Sequence, residues 1–239
     1  MSQIYYILSG KGGTGKSSFA LNLAATFAIS GRKTLLVDMN PGMRSLDLYL
    51  GVEDQAVYHV FDVLNGLCPA GQAIMHPDVL NSLSFLAGGT SEDAGTLTDE
   101  SWNSLLDQLR PQFEIIVVDG APGWDETTRI ISKSSDKVIL VTTPENAAVR
   151  DADGLEDRLI RCRVMKRCYV LNRVDPDLIL NKLEPHIKEV DRRFRCEMLG
   201  MISEDVNFRA ASDAGVPVVL KRDSYIAENF NKMADRLNR

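Results

Sequence analysis

Short apolar runs, rich in β-branched residues, alternate along the chain with longer stretches whose apolar residues recur every three to four positions. The runs Ile4–Ser9, Thr34–Asp38, Leu83–Ala87, Ile115–Asp119, Lys137–Thr142, Cys168–Asn172 and Met198–Ile202 predict strands, and Val216–Val219 predicts a further short one. Several are continuous rather than alternating, such as Ile115-Ile116-Val117-Val118, which suits strands covered on both faces of a parallel sheet. Between them, Phe19, Ala20, Leu23, Ala24 and Phe27 mark one face of a helix that Gly31 can end. Asp99 is placed to cap a helix running to Leu109, and Asn146–Cys162 is apolar on one face and charged on the other. Pro185 suits the first position of a new helix, Ile226–Arg239 closes the chain as a helix, and Gly88–Gly95 reads as a loop. The alternation predicts one domain over residues 1–239. It is doubly wound α/β, with a mostly parallel sheet flanked by helices and right-handed crossovers.

Composition narrows the function classes. Hydrophobic residues make up 44% of the 239 positions and charged residues 25%, as expected of a globular chain that buries its own core. A net charge of −6 argues against coating nucleic acid, which needs a basic face. The cysteines Cys68, Cys162, Cys168 and Cys196 form no C-x-x-C pair, so they read as free thiols in a reducing compartment. The N-terminus enters a strand pattern almost at once, without a secretory signal, and no apolar run reaches the ~18 residues of a membrane span. The expectation is a cytoplasmic protein, unless a partner carries it to a membrane.

The chemistry concentrates after the first strand. Gly10-Lys11-Gly12-Gly13-Thr14-Gly15-Lys16-Ser17 fits G-x-x-x-x-G-K-[ST] between a strand and a helix, the context a phosphate-binding loop requires. Glycines let successive backbone N–H groups point inward, and the following helix adds its positive end. Lys16 is expected to reach the β- and γ-phosphates of a nucleotide, Ser17 to bind Mg²⁺, and Ser18 to lie near the α-phosphate. Asp119 ends the run Ile115–Val118 where a Mg²⁺-contacting carboxylate sits, although a turn-capping role fits the same position. Asp38 ends Leu35-Leu36-Val37 in the same way, so two carboxylates converge on the crevice at the carboxyl edge of the sheet. Gly120-Ala121-Pro122-Gly123 follows as a loop that can sense the γ-phosphate.

Lys11 is not required by an ordinary phosphate loop. The pattern K-G-G-x-G-K-[ST], matched by Lys11–Ser17 at every fixed position, resembles the deviant Walker A ATPases of the MinD/ParA family, and most closely its MinD branch. The likeness extends to Asp38–Asp47, Val57–Val63, Pro144-Glu145 with Val149-Arg150-Asp151-Ala152-Asp153, Phe208–Ser212 and Gly215–Val218. It implies an ATP- and Mg²⁺-dependent homodimer in which Lys11 crosses to the partner's phosphates, offsetting the repulsion of two anionic nucleotides. The plainer reading of Lys11 is a solvated loop lysine. The resemblance also places Asn172 and Arg173 at the adenine base, where a structural turn is the rival reading. It places a protein regulator or effector near Val149–Asp153, whose charges equally suit a solvated helix face.

Two departures matter. The family's second switch I aspartate, which positions the attacking water, is Asn40 here. An asparagine can orient water but cannot take its proton, so the resemblance implies slow ATP hydrolysis. The basic amphipathic membrane helix of the MinD branch also has no counterpart before Arg239. The stripe Tyr225, Ile226, Phe230, Met233 and Leu237 is flanked by Asp223, Glu228 and Asp235 as well as by Lys232, Arg236 and Arg239, and reads as a domain-closing helix. The leading expectation is an ATP-dependent dimerisation switch positioning cell-division or envelope machinery. A degenerate ATPase acting as a binding module for flagella or pili is an alternative. ParA-type DNA partitioning is disfavoured by the acidic charge, and iron–sulfur carriage by the cysteine spacing.

Overall fold

The computed structural model describes residues 2–42, 45–53, 55–90 and 97–238. Part of the expected loop 88–95, positions 43 and 44 of the segment after Asp38, and Arg239 lie outside them. In chain order the elements are β1 (Gln3–Leu8), α1 (Lys16–Ile29), β2 (Thr34–Met39), α2 (Ser45–Leu50), α3 (Val60–Leu64), α4 (Ala70–Ala73), β3 (Ile74–Met75), β4 (Leu83–Leu86), α5 (Asp99–Leu109) and β5 (Ile115–Gly120). They continue as α6 (Glu126–Ser134), β6 (Lys137–Thr142), α7 (Asn146–Arg161), β7 (Arg167–Val174), α8 (Pro176–Leu180), α9 (Ile187–Asp191), β8 (Glu197–Ser203), α10 (Val206–Asp213) and α11 (Tyr225–Leu237), with a 3-10 turn at Val218–Leu220 before α11.

The strands form one sheet in the order β3-β4-β2-β5-β1-β6-β7-β8. Every pairing is parallel except that of β3 with β4. The continuous apolar runs follow from this: every residue of β2 and of β5 is buried. Alternate side chains feed two cores. Tyr6, Leu8, Val37, Val118 and Leu140 pack toward Trp102 and Leu105 of α5 and Val149, Leu155 and Leu159 of α7. Tyr5, Ile7, Leu36, Val117 and Ile139 pack toward Phe19, Leu23 and Phe27 of α1 and Phe230 and Met233 of α11. At roughly 25 cal/mol per Å² of apolar surface, this two-sided burial is the main force holding the sheet. The α11 stripe is thus buried in a core, apart from Tyr225, which is exposed and donates its hydroxyl to Asp205. Among the described residues no helix is long and apolar enough to cross a membrane.

Several element ends differ from expectation. Val216–Val219 is not a strand. Pro217 lacks the N–H a ladder needs, and Val218 and Val219 turn to pack beneath α1, where the Val219 N–H donates to Asn22 Oδ1 at 3.3 Å. Pro185 does not begin a helix. His186 caps α9, which starts at Ile187, and it is Pro176, behind the cap Asp175, that holds a first helical position. Thr98 rather than Asp99 caps α5, its hydroxyl accepting from the Ser101 N–H. The edge strand β3 is two residues long, too short to leave a periodic signal. Gly31 does end α1, at φ 86°, with its N–H and that of Arg32 returning to Ala28 and Phe27.

Candidate nucleotide site

β1 lies inside the sheet between β5 and β6, and the chain leaves its carboxyl end through the loop Ser9–Gly15 before entering α1. That end, with those of β2 and β5, forms the crevice where open α/β sheets take ligands. Gly13 and Gly15 both sit at φ 81°, the left-handed region where a side chain is strained. Gly15 precedes α1 without offering a side-chain cap, so the first N–H groups of α1 are left for an anion. Gly10 is a glycine for a different reason. A Cβ there would stand 2.6–2.8 Å from the backbone and Cβ of Asp151 and the nitrogen of Ala152, so the loop rests directly on α7.

Lys16 points inward. It is 6% exposed, its Nζ lies 2.6 Å from Asp119 Oδ1, and the Ser17 hydroxyl is 3.5 Å away. Parallel pairing of β2 with β5 puts Asp38 in register with Asp119, so the two carboxylates stand side by side. Asp38 is 3% exposed and accepts the Asn40 N–H at 2.8 Å. Burial, then the neighbouring charge of Asp119, pushes its carboxyl up to about 8. Gly88 makes room for it, since a Cβ there would lie 3.0 Å from Asp38 Cγ. Asp47, which the resemblance reached only as a motif letter, is buried in α2 and adds negative charge near Asp38.

This cluster has more acids than Lys16 can neutralise, and one oxygen, Asp119 Oδ2, is buried with no hydrogen-bond partner. An orphaned buried carboxylate oxygen is costly unless something positive or hydrogen-bonding completes it. A hydrated divalent cation fits the chemistry of that unpartnered oxygen. Among the described residues no three His, Cys, Asp or Glu gather into a metal cage. Hard, strongly hydrated Mg²⁺ is commonly held by one hydroxyl, one or two carboxylates and phosphate, and Ser17, Asp38 and Asp119 supply donors of that kind.

The outer end of the loop is organised differently. Lys11 is about a third exposed, and its Nζ lies 2.5 Å from Glu145 Oε2 at the start of α7, itself half-exposed. Asn172 donates Nδ2 to the Thr14 carbonyl at 2.8 Å, which commits that amide hydrogen to bracing the loop. Arg173, at φ 57°, reaches Gly13 O at 3.3 Å while its Nε donates to Glu204 Oε2 at 2.6 Å. Gly15, Ser18, Asn172, Arg173, Glu204 and Phe208 line a small cavity of about 110 Å³ beside the loop. Of Val149–Asp153, Val149 and Ala152 are buried, and Arg150, Asp151 and Asp153 carry the outward face. The sequence did not reveal the bracing by Asn172, the seat of Gly10 on α7 or the space at Gly88. A glycine or an amide has no pattern that names what it will touch.

Comparison with known proteins agrees with this geometry. The family described as "CobQ/CobB/MinD/ParA nucleotide binding domain" matches residues 5–218. The septum site-determining protein MinD of Helicobacter pylori is 33% identical over 244 aligned residues, covering 99% of this chain and 91% of the relative. Among solved structures, MinD in the MinC:MinD cell division protein complex of Aquifex aeolicus superposes with a TM-score of 0.90 at 27% identity, covering 99% of this chain and 96% of that one. The septum site-determining protein MinD of Pyrococcus horikoshii, complexed with Mg-ADP, gives 0.86 at 26% identity over 100% of this chain and 97% of that one.

Proposed function

The chain belongs to the CobQ/CobB/MinD/ParA family of nucleotide-binding domains, and on that footing we propose that it is a MinD-like ATPase acting in placement of the cell-division site, with Mg·ATP driving its dimerisation. The observation that carries the reading is the buried group of Lys16, Asp119 and Asp38, with one carboxylate oxygen left without a partner, at the mouth of a left-handed glycine loop. Backbone N–H groups of the loop and of the first turn of α1 cradle the phosphates. Lys16 exchanges part of its bond with Asp119 for the β- and γ-phosphates, a charge-assisted bond in a dry site. Ser17, Asp38 and Asp119 would hold Mg²⁺. The ion, when bound, supplies neutralisation of the phosphate charge during phosphoryl transfer.

Lys11 acts in trans. It sits at the surface on an exposed partner, so it leaves Glu145 for a second copy's phosphates at little cost. The outward residues Arg150, Asp151 and Asp153 of α7 lie next to this face and form the surface for a regulatory or effector protein. Asn40 sits two residues past Asp38 with an amide where the family has a carboxylate, so turnover is slow. Asn172 and Arg173 border the base and ribose end of the nucleotide, beside the small cavity. Light scattering decides the dimer reading: a monomer in Mg·ADP and twice that mass in Mg·ATP are expected, and one mass in both nucleotides refutes it.

A further inference from the structure

Tyr6 lies in β1, paired with Val118 of β5, and is 1% exposed. Its side chain reaches forward beneath Gly120, the residue directly after Asp119. A Cβ at position 120 would stand 2.5 Å from Tyr6 Cε2 and 2.7 Å from Cζ, and closer still to the hydroxyl. Real Cβ atoms do not approach that near, so with tyrosine at 6 the chain has glycine at 120. The phenol faces the Thr128 side chain in the first turn of α6. Asp125 caps the same turn, accepting the Thr128 N–H at 2.7 Å. Burial raises the phenol well above its ordinary range, so the hydroxyl keeps its proton. The segment between these residues is tied once more to the residue that follows β1, through the Gly123 N–H donating to Ser9 O at 2.8 Å.

We propose that Tyr6 is a positioning residue for the nucleotide response: one buried phenol fixes both ends of the loop that follows Asp119, and so sets where that carboxylate and its loop stand relative to the phosphates. Tyr6 touches no nucleotide. It acts through Gly120 and Thr128, and this rests on the ATPase reading above. A displacement of about 1 Å at a reacting centre can cost on the order of 100-fold in rate, which makes a rigid backstop beneath Asp119 consequential. Losing only the hydroxyl removes the polar group that faces Thr128 and sits closest to Gly120, and leaves the ring in place.

Tyr6→Phe in the full chain tests this, with Trp124 in the same loop as the reporter. Trp124 is half-buried, whereas the other tryptophan, Trp102, is buried and bonded to Ser134. Expected are Mg·ADP affinity within about twofold of wild type, single-turnover ATP hydrolysis slowed about five- to tenfold, and at least a halved difference in Trp124 fluorescence between Mg·ATPγS and Mg·ADP. Gly120→Ala is expected to do the same more strongly, with Tyr6→Val in that background restoring part of the Trp124 response. Three results would overturn the proposal. One is a wild-type hydrolysis rate and Trp124 response in Tyr6→Phe. Another is a parallel loss of ADP and ATPγS affinity with a lowered melting temperature, as for a merely structural side chain. The third is a wild-type Trp124 that does not distinguish the two nucleotides. Absence of hydrolysis in the wild type would count against the ATPase reading alone, because the fluorescence comparison still decides the role of Tyr6.

Discussion

Lys16 and Lys11 stand at the two ends of one glycine-rich loop, each against a carboxylate, and their surroundings are opposite. Lys16 is buried against Asp119 at 2.6 Å, with Asp38 beside them. Lys11 lies on the rim with Glu145, and both members of that pair meet solvent. A buried ion pair cannot lose one partner cheaply, because the remaining charge is stranded at low dielectric. An exposed pair is worth only about 0.2–1 kcal/mol and separates freely. The same side chain is therefore a fixed part of the buried cluster at one position and free to exchange partners at the other.

Removing Lys16 is the harshest way to break the contrast. Lys16→Ala strands Asp119 and removes the cation meant for the phosphates. Stranding Asp119 costs about 3–5 kcal/mol of stability, and the lost charge-assisted bonds to the phosphates are expected to lower ATP affinity at least about 100-fold by isothermal titration. A loss under threefold would place the phosphates elsewhere. Lys11→Ala should leave ATP affinity within about threefold and abolish the Mg·ATP dimer in light scattering. A variant that still dimerises would make Lys11 an ordinary surface lysine.

The chemistry of the deep end is sharpened by Asn40→Asp, which returns a carboxylate two residues from Asp38. Single-turnover hydrolysis is expected to rise about tenfold, which needs only ~1.4 kcal/mol off the barrier. Equal rates would remove residue 40 from water positioning. The smallest effect belongs to Glu145→Gln, which frees Lys11 from its rim partner. Melting stability should stay within about 0.5 kcal/mol, as for most exposed pairs, while Mg·ATP dimerisation quickens two- to threefold in stopped-flow scattering. Slower dimerisation would mean that Glu145 aids the dimer rather than holding Lys11 back.

Much of the fold was legible because its causes are local and periodic. β6 runs over the expected Lys137–Thr142, and β1, β2, β5 and α7 end within one residue of expectation, since a continuous β-branched run or a 3.6-residue stripe carries its own address. Where two short signals competed, the chain was less readable. Val216–Val219 has strand composition, yet burial beneath α1 turned it into a 3-10 turn, and Pro185 gave way to Pro176 and the cap at His186.

The candidate site divides along the same line. The sequence by itself carried the phosphate-loop pattern, the two acidic strand ends and the family, because glycine spacing and an aspartate closing an apolar run are each written in a few consecutive residues. Only the tertiary structure decided that Asp38 and Asp119 are side by side, that Lys16 is buried and Lys11 is not, and that Asn172 braces the loop at Thr14. It also decided that Tyr6 fills the space beside Gly120 that a Cβ would need. The physical reason is distance along the chain. Strand register, burial and close packing arise between residues dozens or hundreds of positions apart, and the dielectric around a charge is set by the neighbours that folding brings, not by those the sequence places next to it.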